Sequence, residues 1–156
     1  MKALFDTSVF VSAFLQSHES HNASLRWLAA AKSGAVSLVV AAHTLAEVYS
    51  TLTRMPPRYA LAPRHAWKLL ETDVLPNATL RTLPAAKYRA VLKRLAKDEF
   101  KGGIVYDALI VEVARIQKVD LLLTLNLSHF ERVWPDSGGR IVSPETSAPP
   151  ESGAGL

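Results

Sequence analysis

Four polar side chains interrupt otherwise apolar stretches of this sequence. Asp6 lies in "MKALFDTSVFVSAFL", at the joint between a short apolar run and an apolar helix; Glu47 lies in "TLAEVYSTL"; Asp107 lies in "GGIVYDALIVEVA"; Asn126 follows Thr124 at the end of "LLLTLN". A carboxylate beside a core costs free energy unless it caps a helix, pairs or coordinates something. Carboxylates gathered together repel and raise one another's pKa unless a cation sits among them. The chain has no cysteine, and no histidine pair stands at zinc-site spacing such as HExxH. Hard oxygen ligands of this kind suit Mg²⁺ or Mn²⁺ and not zinc.

The elements that would position these groups follow from hydrophobic patterning. Runs rich in β-branched residues alternate with helical-period segments, the pattern of an α/β domain around a mostly parallel sheet. Strands are expected at Ala3–Phe5, Val36–Val40, Leu80–Leu83, Leu121–Thr124 and Arg140–Val142. Helices are expected at Ser8–Leu15, Asn22–Lys32, His43–Arg54, Pro63–Thr72, Ala85–Lys97 and Ile104–Gln117. Ligands of open parallel sheets bind outside the carboxyl ends of the strands. Right-handed crossovers then bring Asp6, Glu47, Asp107 and the Thr124–Asn126 strand end to one edge.

Each of the three carboxylates also has an ordinary structural explanation. Thr44 and Glu47 match a capping box, in which the glutamate reaches back to the helix start. Asp107 suits the positive end of a helix dipole, and Asp6 suits an N-cap, although Thr7 and Ser8 offer the same service.

Composition bounds the setting. The 156 residues, 49% hydrophobic, fit one domain. The lack of cysteine suits a reducing compartment, no apolar run is long enough to cross a bilayer, and the N-terminus lacks a signal-peptide pattern. A cytoplasmic protein with no membrane contact is expected. The formal charge of +4 suits a polyanionic partner. "MPPRYALAP" reads as a connector between helices, because Pro56 and Pro57 cannot continue a helix and Pro63 suits a first turn. Residues 1–142 are read as the domain. The last stretch, "SPETSAPPESGAGL", has little to bury, so 143–156 are read as a disordered tail.

Taken together, "LFDTSVFVSAFL", "TLAEVYSTL", "YDALIVEVA" and "LLLTLNLSHFERV" resemble a PIN-domain ribonuclease, in particular the VapC-type toxin of prokaryotic toxin–antitoxin pairs. The likeness runs from Lys2 to about Val142. It implies a three-layer α/β/α sandwich with a central, mostly parallel sheet of four to five strands. It also implies that Asp6, Glu47 and Asp107 hold Mg²⁺ or Mn²⁺, that Thr7 and Thr124 support the site, and that Asn126 takes the place of a fourth acid. His129 stands where an aspartate often precedes the phenylalanine, so the site carries less negative charge than is usual in the family. The implied reaction is hydrolysis of an RNA phosphodiester. The implied partners are a second copy of the chain, as a homodimer, and a VapB-type antitoxin.

A surface for the RNA backbone is sought in "RTLPAAKYRAVLKRLAKDEFK". Arg89, Lys93 and Lys97 recur every fourth residue and make a positive helical stripe, which is also the pattern of a solvated helix face. His18 and His21 read as loop residues before a helix. Trp27, Trp67 and Trp134 read as packing residues, and Tyr59 and Leu61 as an apolar projection. Three rival functions compete with this reading. A haloacid-dehalogenase-like phosphatase wants an aspartate where Ser8 stands. A phospho-receiver module wants an aspartate and a lysine at strand ends that lack them. A catalytically weakened RNA-binding protein is made credible by Asn126 and His129.

Overall fold

A computed structural model describes residues 1–151. The chain runs β1 (Lys2–Phe5), α1 (Thr7–Phe14), α2 (His21–Lys32), β2 (Ser37–Ala41), α3 (Ala42–Arg54) and α4 (Pro63–Leu69). It continues through β3 (Ala78–Arg81), α5 (Ala85–Lys97), α6 (Ile104–Gln117), β4 (Leu121–Leu123), α7 (Leu127–Val133) and β5 (Ile141–Val142). The five strands form one sheet in the order β3-β2-β1-β4-β5, every pair parallel.

Side-chain alternation along the strands divides the core between the two faces. Ala3, Phe5, Leu38, Val40 and Leu123 face one way and pack with Val9, Phe10, Trp27, Leu28, Val48 and Leu52. Leu4, Val39, Ala41 and Leu122 face the other way and pack with Val91, Leu95, Ile110, Val111 and Phe130. Helices α1–α4 therefore cover one face and α5–α7 the other, which is the expected three-layer sandwich. Trp27 is fully buried and meets Phe5 edge to face, ring centroids 6.2 Å apart.

The order of strands matters most for the site. The chain steps from β1 outward to β2 and β3, then returns to the other side of β1 for β4. Neighbouring strands that leave the sheet in opposite directions open a crevice at their carboxyl ends. Asp6 and Thr124, the first residues after β1 and β4, stand on its two sides.

Several boundaries differ from expectation. The third strand is Ala78–Arg81, two residues earlier than read, because pairing with β2 sets its register (Leu38 opposite Ala78) and only one neighbour buries it. Leu83 instead leaves the sheet and is buried against the α5–α6 layer. The helix expected over Pro63–Thr72 ends at Leu69 and widens into a π-helical turn over Leu70–Val74. Helix α7 was not anticipated, since its seven residues are too few for a clear period. Trp67 is half exposed and not a packing residue, whereas Trp27 and Trp134 are buried as read.

The segment after Val142, set aside as a disordered tail, contains ordered contacts in its described part. Ser143 and Pro144 are buried, the Ser143 hydroxyl accepts from Glu145 N–H at 3.2 Å, and Ser147 Oγ donates to the Ser143 carbonyl at 2.6 Å. Ser20 Oγ donates to Glu145 Oε1 at 2.6 Å. Residues 152–156 lie outside the described residues.

Candidate active site

Asp6 is 4% exposed and its carboxylate accepts four hydrogen bonds. Oδ1 takes Thr7 N–H at 2.6 Å; Oδ2 takes Ser8 N–H at 3.3 Å, Ser8 Oγ at 2.7 Å and Thr124 Oγ1 at 2.9 Å. Asp6 is thus the N-cap of α1, as the ordinary explanation had it, yet capping does not exhaust it. Oδ1 carries a single donor and keeps a free lone pair. The hydroxyls that hold it are themselves held from β4: Thr124 Oγ1 accepts from Asn126 N–H at 2.9 Å, and Ser8 Oγ accepts from Leu125 N–H at 3.0 Å. The loop after β4 and the start of α1 are thereby tied together through Asp6.

Glu47 is not part of a capping box. The N-cap of α3 is Ala41, no side chain caps that helix, and the Thr44 hydroxyl is buried without a partner. Glu47 Oε1 is also buried without a hydrogen-bond partner. Burial first, then the charges of Asp6 and Asp107, push its pKa up to about 7. Burial and Asp6 push Asp107 up to about 6, against the opposing pull of His129, whose Nδ1 lies 3.6 Å from Asp107 Oδ2. His43 Nε2 stands 3.7 Å from Glu47 Oε1. Burial holds His43 below the usual histidine range. Both members of that contact are driven toward neutrality, so it is not an established ion pair.

Asp6, Thr7, Glu47, Asp107 and Asn126 line one open cleft of about 560 Å³, together with Ser8, His18, Glu19, Ser20 and Glu145. Among the described residues no three histidine, aspartate or glutamate side chains are gathered closely enough to enclose an ion as they stand. The donor set still fits a hard divalent cation: carboxylates that raise one another's pKa, an oxygen of Glu47 with no donor, and an open lone pair on Asp6.

Several participants were not read from the sequence. Ser8, which reads in the sequence only as an alternative cap, supplies both a backbone N–H and a hydroxyl to Asp6. His43 was missed, but its place one helical turn before Glu47 on α3 was a usable signal. His18 faces the cleft and not only a loop, while His21 turns away to the Ser12 carbonyl at 3.1 Å. Glu145 had no signal, because its Pro- and Ser-rich surroundings argued against order. Arg89, Lys93 and Lys97 are exposed on α5 and none of them lines the acidic cleft.

An all-parallel five-stranded sheet with helices on both faces, and an acidic cleft at the carboxyl ends of β1 and β4, defines an α/β protein with its acids gathered at the switch point. The chain belongs to the PIN domain family, which its residues 3–133 match. It is 38% identical over 117 residues to Ribonuclease VapC40 of Mycobacterium tuberculosis, covering 75% of this chain and 81% of that one. The crystal structure of Mycobacterium tuberculosis VapC20, a sarcin-ricin loop cleaving toxin, superimposes with a TM-score of 0.62 at 17% identity, over 77% of this chain and 86% of that chain. VapBC2 from Rickettsia felis, bound to a DNA fragment from its promoter, matches with a TM-score of 0.60 at 17% identity, over 92% and 97%. Family membership sets aside the phosphatase and phospho-receiver rivals.

Proposed function

We propose that the chain is a ribonuclease that needs Mg²⁺ or Mn²⁺, and the toxin of a VapBC-type pair. Asp6, Glu47 and Asp107 would hold the ion, with the Asn126 amide oxygen as a further candidate ligand. Thr124 fixes Asp6, and Thr7 gives it a backbone N–H. The observation that carries this reading is the convergence of three carboxylates from β1, α3 and α6 on one cleft. Similarity to Ribonuclease VapC40 supports RNA as substrate.

When bound, a divalent ion lowers the pKa of water and neutralises charge at a phosphoryl oxygen. The protein's own contribution is preorganisation. Asp6 has little rotational freedom under four donors, and the β1–β4 crevice fixes where the scissile phosphate meets the acids. Similarity to VapBC2 supports a VapB-type antitoxin as partner; a homodimer and a cytoplasmic setting belong to the same proposal. Among the described residues no helix is long and apolar enough to cross a membrane.

The test is incubation of the protein with a structured RNA pool in Mg²⁺, Mn²⁺ or EDTA, beside Asp6→Asn and Asp107→Asn. Cleavage is expected with either metal and not in EDTA, and it should disappear in both variants while their folding persists. Cleavage indifferent to both substitutions defeats the assignment. A second reading rests on Asn126 and His129, which lessen the site's charge: the protein binds RNA without cutting it, and binding without cleavage in this assay would establish that.

A further inference from the structure

The acidic cleft is bordered by two surfaces of opposite character. On the α1–α2 side its rim is His18, Glu19, Ser20 and Glu145, and among the described residues that line the cleft there is no lysine or arginine. On the other side, Glu47 and Asp107 are shared with a second cleft walled by Lys101, Tyr106, His129 and Arg132. That cleft in turn shares Phe100 and Arg132 with a third, which adds Arg94 and Arg115 against Asp98 and Asp136. A cationic groove therefore leads away from the acids along α6 and α7.

Two details mark it as a place for an anion. Arg94 Nη2 is buried and has no hydrogen-bond partner, an expensive state for a charged donor unless an acceptor arrives. Arg132 lies over the Phe100 ring, 5.1 Å from its centroid, which holds the exposed guanidinium at the junction of the two clefts. The acid paired in the third cleft is weakly placed: Asp136 meets Arg115 at 2.8 Å, but its side chain is 79% exposed.

We infer that single-stranded RNA lies in this α6–α7 groove on one side of the scissile phosphate, with Arg94, Lys101 and Arg132 on its phosphates, and that the α5 stripe of Arg89, Lys93 and Lys97 is a solvated face. The inference rests on the ribonuclease reading for the identity of the substrate. The rise along the helix from Asp107 to Arg115 is about 12 Å, which matches about three to four nucleotides at the ~3.4 Å spacing of a stacked strand. Phosphates avoid the opposite rim because Glu19 and Glu145 repel them.

The test measures binding of a fluorescein-labelled single-stranded RNA dodecamer in EDTA over a range of salt. Arg94→Ala/Lys101→Ala/Arg132→Ala is expected to weaken binding about tenfold or more and to reduce the log–log salt slope by about 2, at ~0.7 per lost contact. Arg89→Ala/Lys93→Ala/Lys97→Ala should stay within about twofold of the parent protein. Arg94→Lys/Arg132→Lys, which keeps the charges, should retain the slope, and thermal unfolding of each variant reports folding separately. A larger or equal loss in the α5 variant, or no RNA binding by the parent protein, overturns the groove. Groove-dependent binding in a protein that does not cleave RNA in Mg²⁺ overturns the ribonuclease reading and leaves the groove standing.

Discussion

At the scale of single residues, the site is an electrostatic conflict that the fold maintains. Glu47 is half-buried with no donor on Oε1, and its pKa of about 7 means that the folded protein holds a proton more tightly than the unfolded chain. A raised carboxylate pKa makes stability fall as pH climbs from the unfolded value to the folded one. For the metal-free protein this places the loss between about pH 4.5 and 7 for Glu47, joined by Asp107 between about 3.8 and 6. Glu47→Gln should flatten that decline and raise the metal-free melting temperature at pH 7.5, by roughly 2–8 °C for about 1–2 kcal/mol. Differential scanning fluorimetry across pH checks this, and an unchanged pH profile in the variant would refute it. Asp6, Glu47 and Asp107 were legible because a charge inside an apolar run stands out. Ser8 was not, since a serine in the first turn of a helix is unremarkable until its neighbours in space are known, and His43 was legible only through its place one turn before Glu47.

At the scale of elements, the decisive feature is the seam between β1 and β4. Thr124 Oγ1 donates to Asp6 and accepts from Asn126 N–H, so one hydroxyl joins the end of β4, the start of α7 and the N-cap of α1. Thr124→Val keeps the shape and removes both bonds. The expected cost is about 1–3 kcal/mol of stability, from unsatisfied buried polar groups, and about tenfold in turnover from a less tightly oriented Asp6. Thr124→Ser should restore both quantities, as measured by urea unfolding and single-turnover cleavage. Equal turnover in Thr124→Val and the parent protein would contradict the role of the seam. Elements with long, regular periods, such as α5 and α6, were readable to the residue. Strand β3 slid by two residues because an edge strand takes its register from its neighbour, and α7 escaped because its order comes from packing Phe130 and Val133 into the core.

At the scale of the whole molecule, one sheet and two helical layers bring together acids that lie far apart in the chain. The alternation of strand and helix patterns made that architecture legible. The C-terminal segment was not: its composition says nothing of the Ser20–Glu145 contact that carries it to the rim of the cleft. The charge of +4 was also readable only as a total; its division into an acidic pocket, an acidic rim and a cationic groove belongs to the folded surface. On the proposed reading Asp6, Glu47 and Asp107 act as one cation site despite their open arrangement. Its most direct test is calorimetric titration of Mn²⁺ into the protein and into Asp6→Asn, Glu47→Gln and Asp107→Asn, each verified as folded. Ligand charge sets the affinity of such sites, so each substitution should weaken the same binding event by about tenfold or more. Mn²⁺ binding of undiminished affinity in any of the three would contradict a shared ion.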